Sequence, residues 1–188
     1  GSQISGIAIP VIAVTFLGAT ELEMGLLTAA DTSAFLVFGL LAGALVDRWI
    51  KRQVMLIADL VRMLAVALVP ILWIYGVLNI YQLMVIGAVL SVATVFFDVS
   101  YQSYIPILLP KEYIGIGNSR LETTSQISGI AGPGVVGWLL QFFKAPLLLI
   151  IDALSFFVSA VSLWFIKDRE EPKPKADRKP LVQEIKAG

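Results

Sequence analysis

Long apolar stretches, each close to the length of a membrane crossing, alternate with short polar breaks along this 188-residue chain. A helix that crosses a bilayer needs about 20 mostly apolar residues. Residues 3–19, 24–46, 54–75, 81–104, 114–142 and 146–166 meet or approach that length, so the pattern predicts six transmembrane helices. The first stretch is short and contains Pro10, which membrane helices tolerate because neighbouring groups re-satisfy the freed backbone. Glu21 and Glu23 lie in the first break; residues 47–52, 76–80, 106–112 and 143–145 form the others. Connections this short make consecutive helices antiparallel neighbours. The expectation is an all-α membrane domain over residues 1–166, followed by a polar segment over residues 167–188.

Charge gives this domain an orientation. Arg48, Lys51, Arg52, Lys111, Arg120 and every base from Lys167 onward collect at one end of the predicted bundle, against only Lys144 at the other. Positive charge is retained on the cytoplasmic side, so the basic end and the C-terminus are predicted to be cytoplasmic, in a cell membrane. Residues 167–175 are polar and proline-bearing, the composition of a linker. Leu181, Val182 and Ile185 then return to helical spacing, as the start of a further helix would.

Composition removes several alternatives. The chain is 57% hydrophobic and 15% charged, with a mean hydropathy of +0.84, whereas a soluble domain is about 25% charged. The formal net charge is zero, which favours no nucleic-acid partner. There is no cysteine and no histidine, so disulfides, thiolate or imidazole metal sites, and Cys/His or Ser/His catalysis are excluded. An enzyme would need a carboxylate pair or a serine–lysine arrangement at suitable spacing, and none stands out; no cofactor or metal is expected. The first apolar stretch has no flanking base, so it does not read as a signal peptide.

The run Gly43-Ala44-Leu45-Val46-Asp47-Arg48-Trp49-Ile50-Lys51-Arg52 concentrates charge in a tight turn between two spans. It closely resembles the loop between helices 2 and 3 of major facilitator superfamily transporters: glycine, three residues, Asp-Arg, one residue, glycine and two bases. Gly43, Asp47, Arg48, Lys51 and Arg52 match, and Ile50 replaces the second glycine. The resemblance implies a cytoplasmic gate latch between two halves; the alternative is a purely topogenic positive loop. Asp47 can cap a helix N-terminus, where a carboxylate meets the positive end of the helix dipole. Asp59 and Arg62 follow one turn apart on the same face of the third helix, able to neutralise each other, and are expected to anchor the gate. Asp98, near the inner end of the fourth helix, can pair with Arg48 or Arg62 when the gate closes; plain interfacial solvation is the alternative.

Two further runs resemble the facilitator subfamily of drug and siderophore exporters, which includes enterobactin and macrolide exporters. One surrounds Asp98; the other is Asp152-Ala153-Leu154-Ser155-Phe156. The fifth helix carries Gly129, Gly132, Pro133 and Gly137, which resemble the Gly-Pro motif of facilitator antiporters, with Ser128 and Val136 at positions where glycine is common. Small residues there permit close helix contact; ordinary small-residue packing would look the same. The resemblance implies twelve helices in two halves, each half made of two inverted three-helix repeats.

Acids inside a membrane are functional candidates because a charge in hydrocarbon is costly. In the family, helices 1, 2, 4 and 5 reach the central cavity and helices 3 and 6 lie outside. On that basis Asp31, expected to be buried with no base one turn away, is the first candidate for proton coupling and Glu122 the second, while Asp152 is expected to be structural. Polar candidates for the cavity are Gln3, Ser5, Thr15, Thr32, Ser33, Ser125 and Gln126; Phe16, Phe35, Phe38, Trp138 and Phe142 can line it or face lipid. Helix 4 lacks the arginine common in proton-driven relatives. The resemblance implies export of a small amphiphilic molecule by alternating access, in proton antiport. The implied partners are the bilayer, the small-molecule substrate and a C-terminal six-helix half. A non-transporting six-helix scaffold subunit is the alternative.

Overall fold

The structure is a computed structural model that describes residues 2–108 and 110–166, apart from the side chains of Leu40 and Lys111. Each of the six apolar stretches is helical: α1 (Ser2–Thr15), α2 (Glu21–Val46), α3 (Lys51–Ile74), α4 (Ile80–Leu108), α5 (Ile114–Leu139) and α6 (Ala145–Phe165). A short 3-10 turn, Lys111–Tyr113, leads into α5. No strand occurs among the described residues. The polar segment from residue 167, with the helical spacing expected at Leu181, Val182 and Ile185, lies outside the described residues.

Local chemistry sets the helix ends. Gly18 and Gly76 have φ of 61° and 68°, the left-handed region where a Cβ would be strained, and they turn the chain after α1 and α3. Thr20 and Glu23 then form a reciprocal cap on α2: the Thr20 N–H donates to the Glu23 carboxylate at 2.8 Å, and the Glu23 N–H donates to the Thr20 hydroxyl oxygen at 3.3 Å. Asn79 and Gln82 do the same for α4, at 3.0 and 2.9 Å.

Two boundaries differ from expectation. α1 ends at Thr15 rather than near residue 19, because the Gly18 turn leaves the carbonyls of Ile12 and Ala13 to accept the N–H groups of Phe16, Leu17 and Ala19. α4 runs through Pro106 to Leu108, where a loop was expected. A proline so close to a helix end removes only one backbone bond, so the last turn survives.

Among the described residues, four helices are long and apolar enough to cross a membrane: α2 (over Glu21–Gly39), α3, α4 and α6. The 14 residues of α1 reach only about 21 Å at 1.5 Å each, short of the ~30 Å hydrocarbon core. α5 is long, but Asn118, Arg120, Glu122 and the hydroxyl and amide residues after them make its first half polar. Such a helix is tolerated in a bilayer when its polar face meets protein or a water-filled cavity.

α3 packs against both α4 and α6, α2 packs on α4, and α1 packs on α5 and α6. One apolar cluster joins Ala8, Ile12 and Ala13 of α1 to Val66 and Val69 of α3, Leu83 and Leu90 of α4, and Leu149, Ala153 and Phe156 of α6. A smaller cluster of Met55, Tyr104 and Leu163 closes the end that carries the basic turn. Coverage is uneven. Among the described side chains, Leu27, Ala34, Ala42 and Val46 are the buried apolar positions of α2, and Val136 is that of α5. Both helices therefore present long open faces on the same side as the polar residues described next.

Candidate functional site: an acid-lined cavity and a basic turn

The basic turn is compact. The Asp47 N–H donates to the Gly43 carbonyl at 3.2 Å, Arg48 to Leu45 at 3.0 Å, and Trp49 to Val46 at 3.2 Å. Asp47 is therefore the C-terminal cap of α2, not an N-terminal cap as expected. The N-cap position of α3 belongs to Ile50, which makes no side-chain cap bond. The physical reason is that α2 spends its last carbonyls on residues 47–49, so three residues separate Asp47 from the positive end of the α3 dipole. Ile50 has a φ of −71°, which any residue adopts, so the turn does not require the glycine that the loop pattern carries there.

Arg52 reaches back across the bundle. Its Nε donates to the Leu163 carbonyl at 2.9 Å and an Nη donates to the Trp164 carbonyl at 3.0 Å. It thereby occupies the last carbonyls of α6, the negative end of that helix dipole. One base of the motif thus fastens α3 to α6 within this domain, while the Asp47 side chain stays exposed.

Asp59 and Arg62 form the expected pair, at 2.5 Å, and both are buried. The guanidinium also sits 4.1 Å from the Phe97 ring centre and 4.6 Å from that of Phe156, so one cation is held by α3, α4 and α6 together. Asp98 and Asp152 lie within Coulombic reach of Arg62, but Asp98 makes no direct ion pair with it. Asp152 is fully buried; its Oδ2 accepts the Ser5 N–H at 3.0 Å, tying α6 to α1.

Asp31, Asp98 and Glu122 line cavities along α4. A cavity of about 260 Å³ opens between α1, α2 and α4, lined by Ser5, Pro10, Asp31, Phe35, Ser91 and Asp98 among others. Asp31 accepts a hydrogen bond from the Ser91 hydroxyl at 2.7 Å. The expectation of a buried, partnerless Asp31 is thereby corrected: it is exposed on the open face of α2, and its partner comes from α4, 60 residues away. A second cavity of about 640 Å³ lies between α4 and α5, lined by Asp98, Tyr101, Gln102, Asn118, Glu122 and Ser125. Glu122 accepts from Gln126 Nε2 at 2.6 Å within its own helix. Asp98 borders both cavities, so Asp31, Asp98 and Glu122 form one acidic lining, with no lysine or arginine among the described residues that line it.

Other expected residues separate. Thr32 and Ser33 return their hydroxyls to their own helix, at the carbonyls of Thr28 and Ala30. Phe16 packs edge-on against Trp73 at 5.8 Å, and Trp138 pairs with Phe142 at 5.0 Å. In α5, a Cβ on Gly132 would lie 2.9 Å from Gln3 Cγ, so this glycine lets α1 and α5 meet; Cβ atoms on Gly129 and Gly137 would meet nothing within 4 Å. Gly43 also faces open space. Pro133 is accommodated inside α5. Ser91 is not among the expected residues; its sequence signal is a hydroxyl about one turn before Thr94 and two before Asp98 in a mostly apolar span. No group of three or more acids among the described residues is placed to hold a metal ion.

The model of the Major Facilitator Superfamily matches residues 1–187. The chain belongs to that superfamily. It is therefore a membrane protein of a transporter family, not an enzyme. This facilitator domain is 25% identical over 133 residues to macrolide efflux protein A of Enterococcus faecalis, covering 71% of this chain and 41% of that protein. It is 30% identical over 197 residues to the multidrug efflux pump Tap of Mycolicibacterium fortuitum, covering 100% of this chain and 46% of the pump. The chain thus spans less than half the length of these curated relatives. No solved structure matches it significantly.

Proposed function

We propose that this facilitator domain is the six-helix N-terminal half of an exporter that moves a small amphiphilic molecule out of the cell by alternating access, against proton entry. The observation that carries the reading is the acidic, polar lining formed by Asp31, Asp98 and Glu122 on the side that α2 and α5 leave uncovered. Carboxylates facing a cavity bounded by apolar helices suit both a titrating proton carrier and a substrate with a cationic group. The relatives named for macrolide and multidrug efflux make such amphiphiles the first compounds to try.

The two-repeat architecture is part of the same proposal. Exchanging α1 with α4, α2 with α5 and α3 with α6 turns the α1–α6 contact into the α4–α3 contact, and the α1–α5 contact into the α4–α2 contact. The α3–α6 contact maps onto itself. That exchange is what an inverted three-plus-three repeat requires. It supports all six helices crossing the bilayer, with the shorter α1 and the more polar α5 at the centre. The open glycines of α2 and α5 suit a second half as their partner, and the exposed Asp47 of the basic turn suits a latch to it.

The test is transport by the full-length protein in proteoliposomes. Macrolide accumulation against its gradient should require an imposed pH difference. Asp31→Asn keeps an oxygen for the Ser91 hydroxyl but cannot exchange a proton, so uphill movement should be lost while downhill exchange persists. Uphill export of neutral compounds that survives the substitution would remove Asp31 from coupling and leave Glu122.

A further inference from the structure

A hydroxyl inside a helix has a ready acceptor, the carbonyl four residues back. Thr28 and Thr32 of α2 use it, at 3.0 Å each. Thr123 and Thr124 of α5 and Ser162 of α6 do so at 2.8, 2.9 and 2.8 Å. Ser91 of α4 crosses to another helix instead: its hydroxyl donates to Asp31 Oδ1 of α2 at 2.7 Å. The carbonyl four residues back on its own helix is that of Gly87, and Gly87 belongs to the same contact. A Cβ on Gly87 would lie 3.5 Å from Asp31 Oδ1 and 3.5 Å from Leu27 Cδ1, so the carboxylate rests against bare backbone there. Leu27 and Asp31 are one turn apart on α2, and Gly87 and Ser91 are one turn apart on α4. The four residues form one seam where α2 packs on α4, and all four line the cavity of about 260 Å³.

Ser91 therefore has two acceptors within reach and one hydrogen to give. The charge on Asp31 decides between them. A hydrogen bond to a carboxylate is roughly twice as strong as one between neutral groups, so a charged Asp31 draws the hydroxyl across the seam. A proton on Asp31 removes that advantage, and the Gly87 carbonyl, fixed in place by the helix, then competes as an equal. We infer that Ser91 is a positioning residue that reads the proton on Asp31: it ties α2 to α4 while the carboxylate is charged, and turns back to the Gly87 carbonyl when the carboxylate is protonated, which frees α2 to move against α4. The proton enters Asp31 from water in the cavity and returns to water. Ser91 keeps its own hydrogen throughout and changes only its acceptor. Asp98, seven residues along α4, is the other titratable group among the described residues lining this cavity; α1 brings Ser2 and Ser5 to it and no charge. This role rests on the coupling proposed for Asp31 and supplies what that coupling moves.

The test uses the full-length protein, free of cysteine apart from one labelled pair, in proteoliposomes. Leu22 and Tyr81 stand near the outer starts of α2 and α4 and are 74% and 72% exposed. Spin labels on Leu22→Cys and Tyr81→Cys report the distance between the two helices. In the wild type the distance distribution should change between alkaline and acidic buffer. Ser91→Ala should hold the acidic distribution in both, and Ser91→Thr, which keeps the hydroxyl, should restore the change. A role in packing alone predicts the reverse order, because alanine fits where serine does and threonine adds a methyl. Uphill macrolide accumulation should fall about tenfold in Ser91→Ala, the effect of one hydrogen bond to a charged group, with downhill exchange retained. Ser91→Ala should add nothing to Asp31→Asn, because both act on one link. A distance that responds to pH equally in the wild type and in Ser91→Ala, or in neither, would overturn the role of Ser91; uphill export still lost in Asp31→Asn would then leave the coupling by Asp31 intact. A pH response that survives in Asp31→Asn would give the titration to Asp98 and overturn both.

Discussion

Arg62 shows how much one side chain carries in this domain. It is buried, paired with Asp59 at 2.5 Å, and covered by two aromatic faces from α4 and α6. Removing one partner of a buried pair strands the other charge, at a cost of about 3–5 kcal/mol. Asp59→Asn should therefore destabilise the domain by roughly 3 kcal/mol. Asp59→Asn combined with Arg62→Gln should cost less than the sum of the two single changes. Unfolding in mixed micelles, followed by helicity, checks this; additive costs would make the pair incidental. The pair was legible because three-residue spacing places both groups on one helix face. The partner of Asp31 was not, because sequence shows the neighbours on its own helix and Ser91 lies across an interface. Asp47 was misplaced for a different reason: its spacing from Gly43 is visible, but which helix owns the turn depends on where the backbone bonds of residues 47–49 go.

Among the elements, α5 departs most from a uniform apolar span, and its glycines divide by what faces them. A Cβ at Gly132 would crowd Gln3 of α1, whereas one at Gly129 would enter open space. Gly132→Leu should therefore push α1 away and destabilise the domain by about 1–3 kcal/mol, the usual cost of overpacking. Gly129→Leu should leave the stability of this chain unchanged and impair transport only in the full-length protein, where a second half is proposed to cover that face. Thermal melts of the chain beside transport by the full-length protein separate the two. Loss of stability in Gly129→Leu would show that its face is already occupied within this domain. The six helices were legible from apolar length alone, and their cores fall where expected. Their ends were less so: the Gly18 turn shortens α1, and the position of Pro106 near a terminus lets α4 run on. The difference between α5 and its neighbours follows in part from Asn118, Glu122 and Ser125, polar groups that a cavity explains better than lipid does.

For the molecule as a whole, the packing puts the two kinds of charge in separate places. The buried Asp59–Arg62 pair and Arg52 tie α3, α4 and α6 together, while Asp31, Asp98 and Glu122 line the open side. The account requires that this open side be the path of the transported molecule, reached in turn from each face of the membrane. The direct measurement is labelling of a single cysteine at Thr94, which lines the cavity between Ser91 and Asp98, with a membrane-impermeant maleimide in the full-length protein. Lys51→Cys and Lys144→Cys serve as side markers, expected to react only from the cytoplasmic and only from the outer face. The account predicts that Thr94→Cys reacts from both faces, with a ratio that shifts when a pH difference is imposed. Reaction from one face only, whatever the gradient, or from neither, would contradict it.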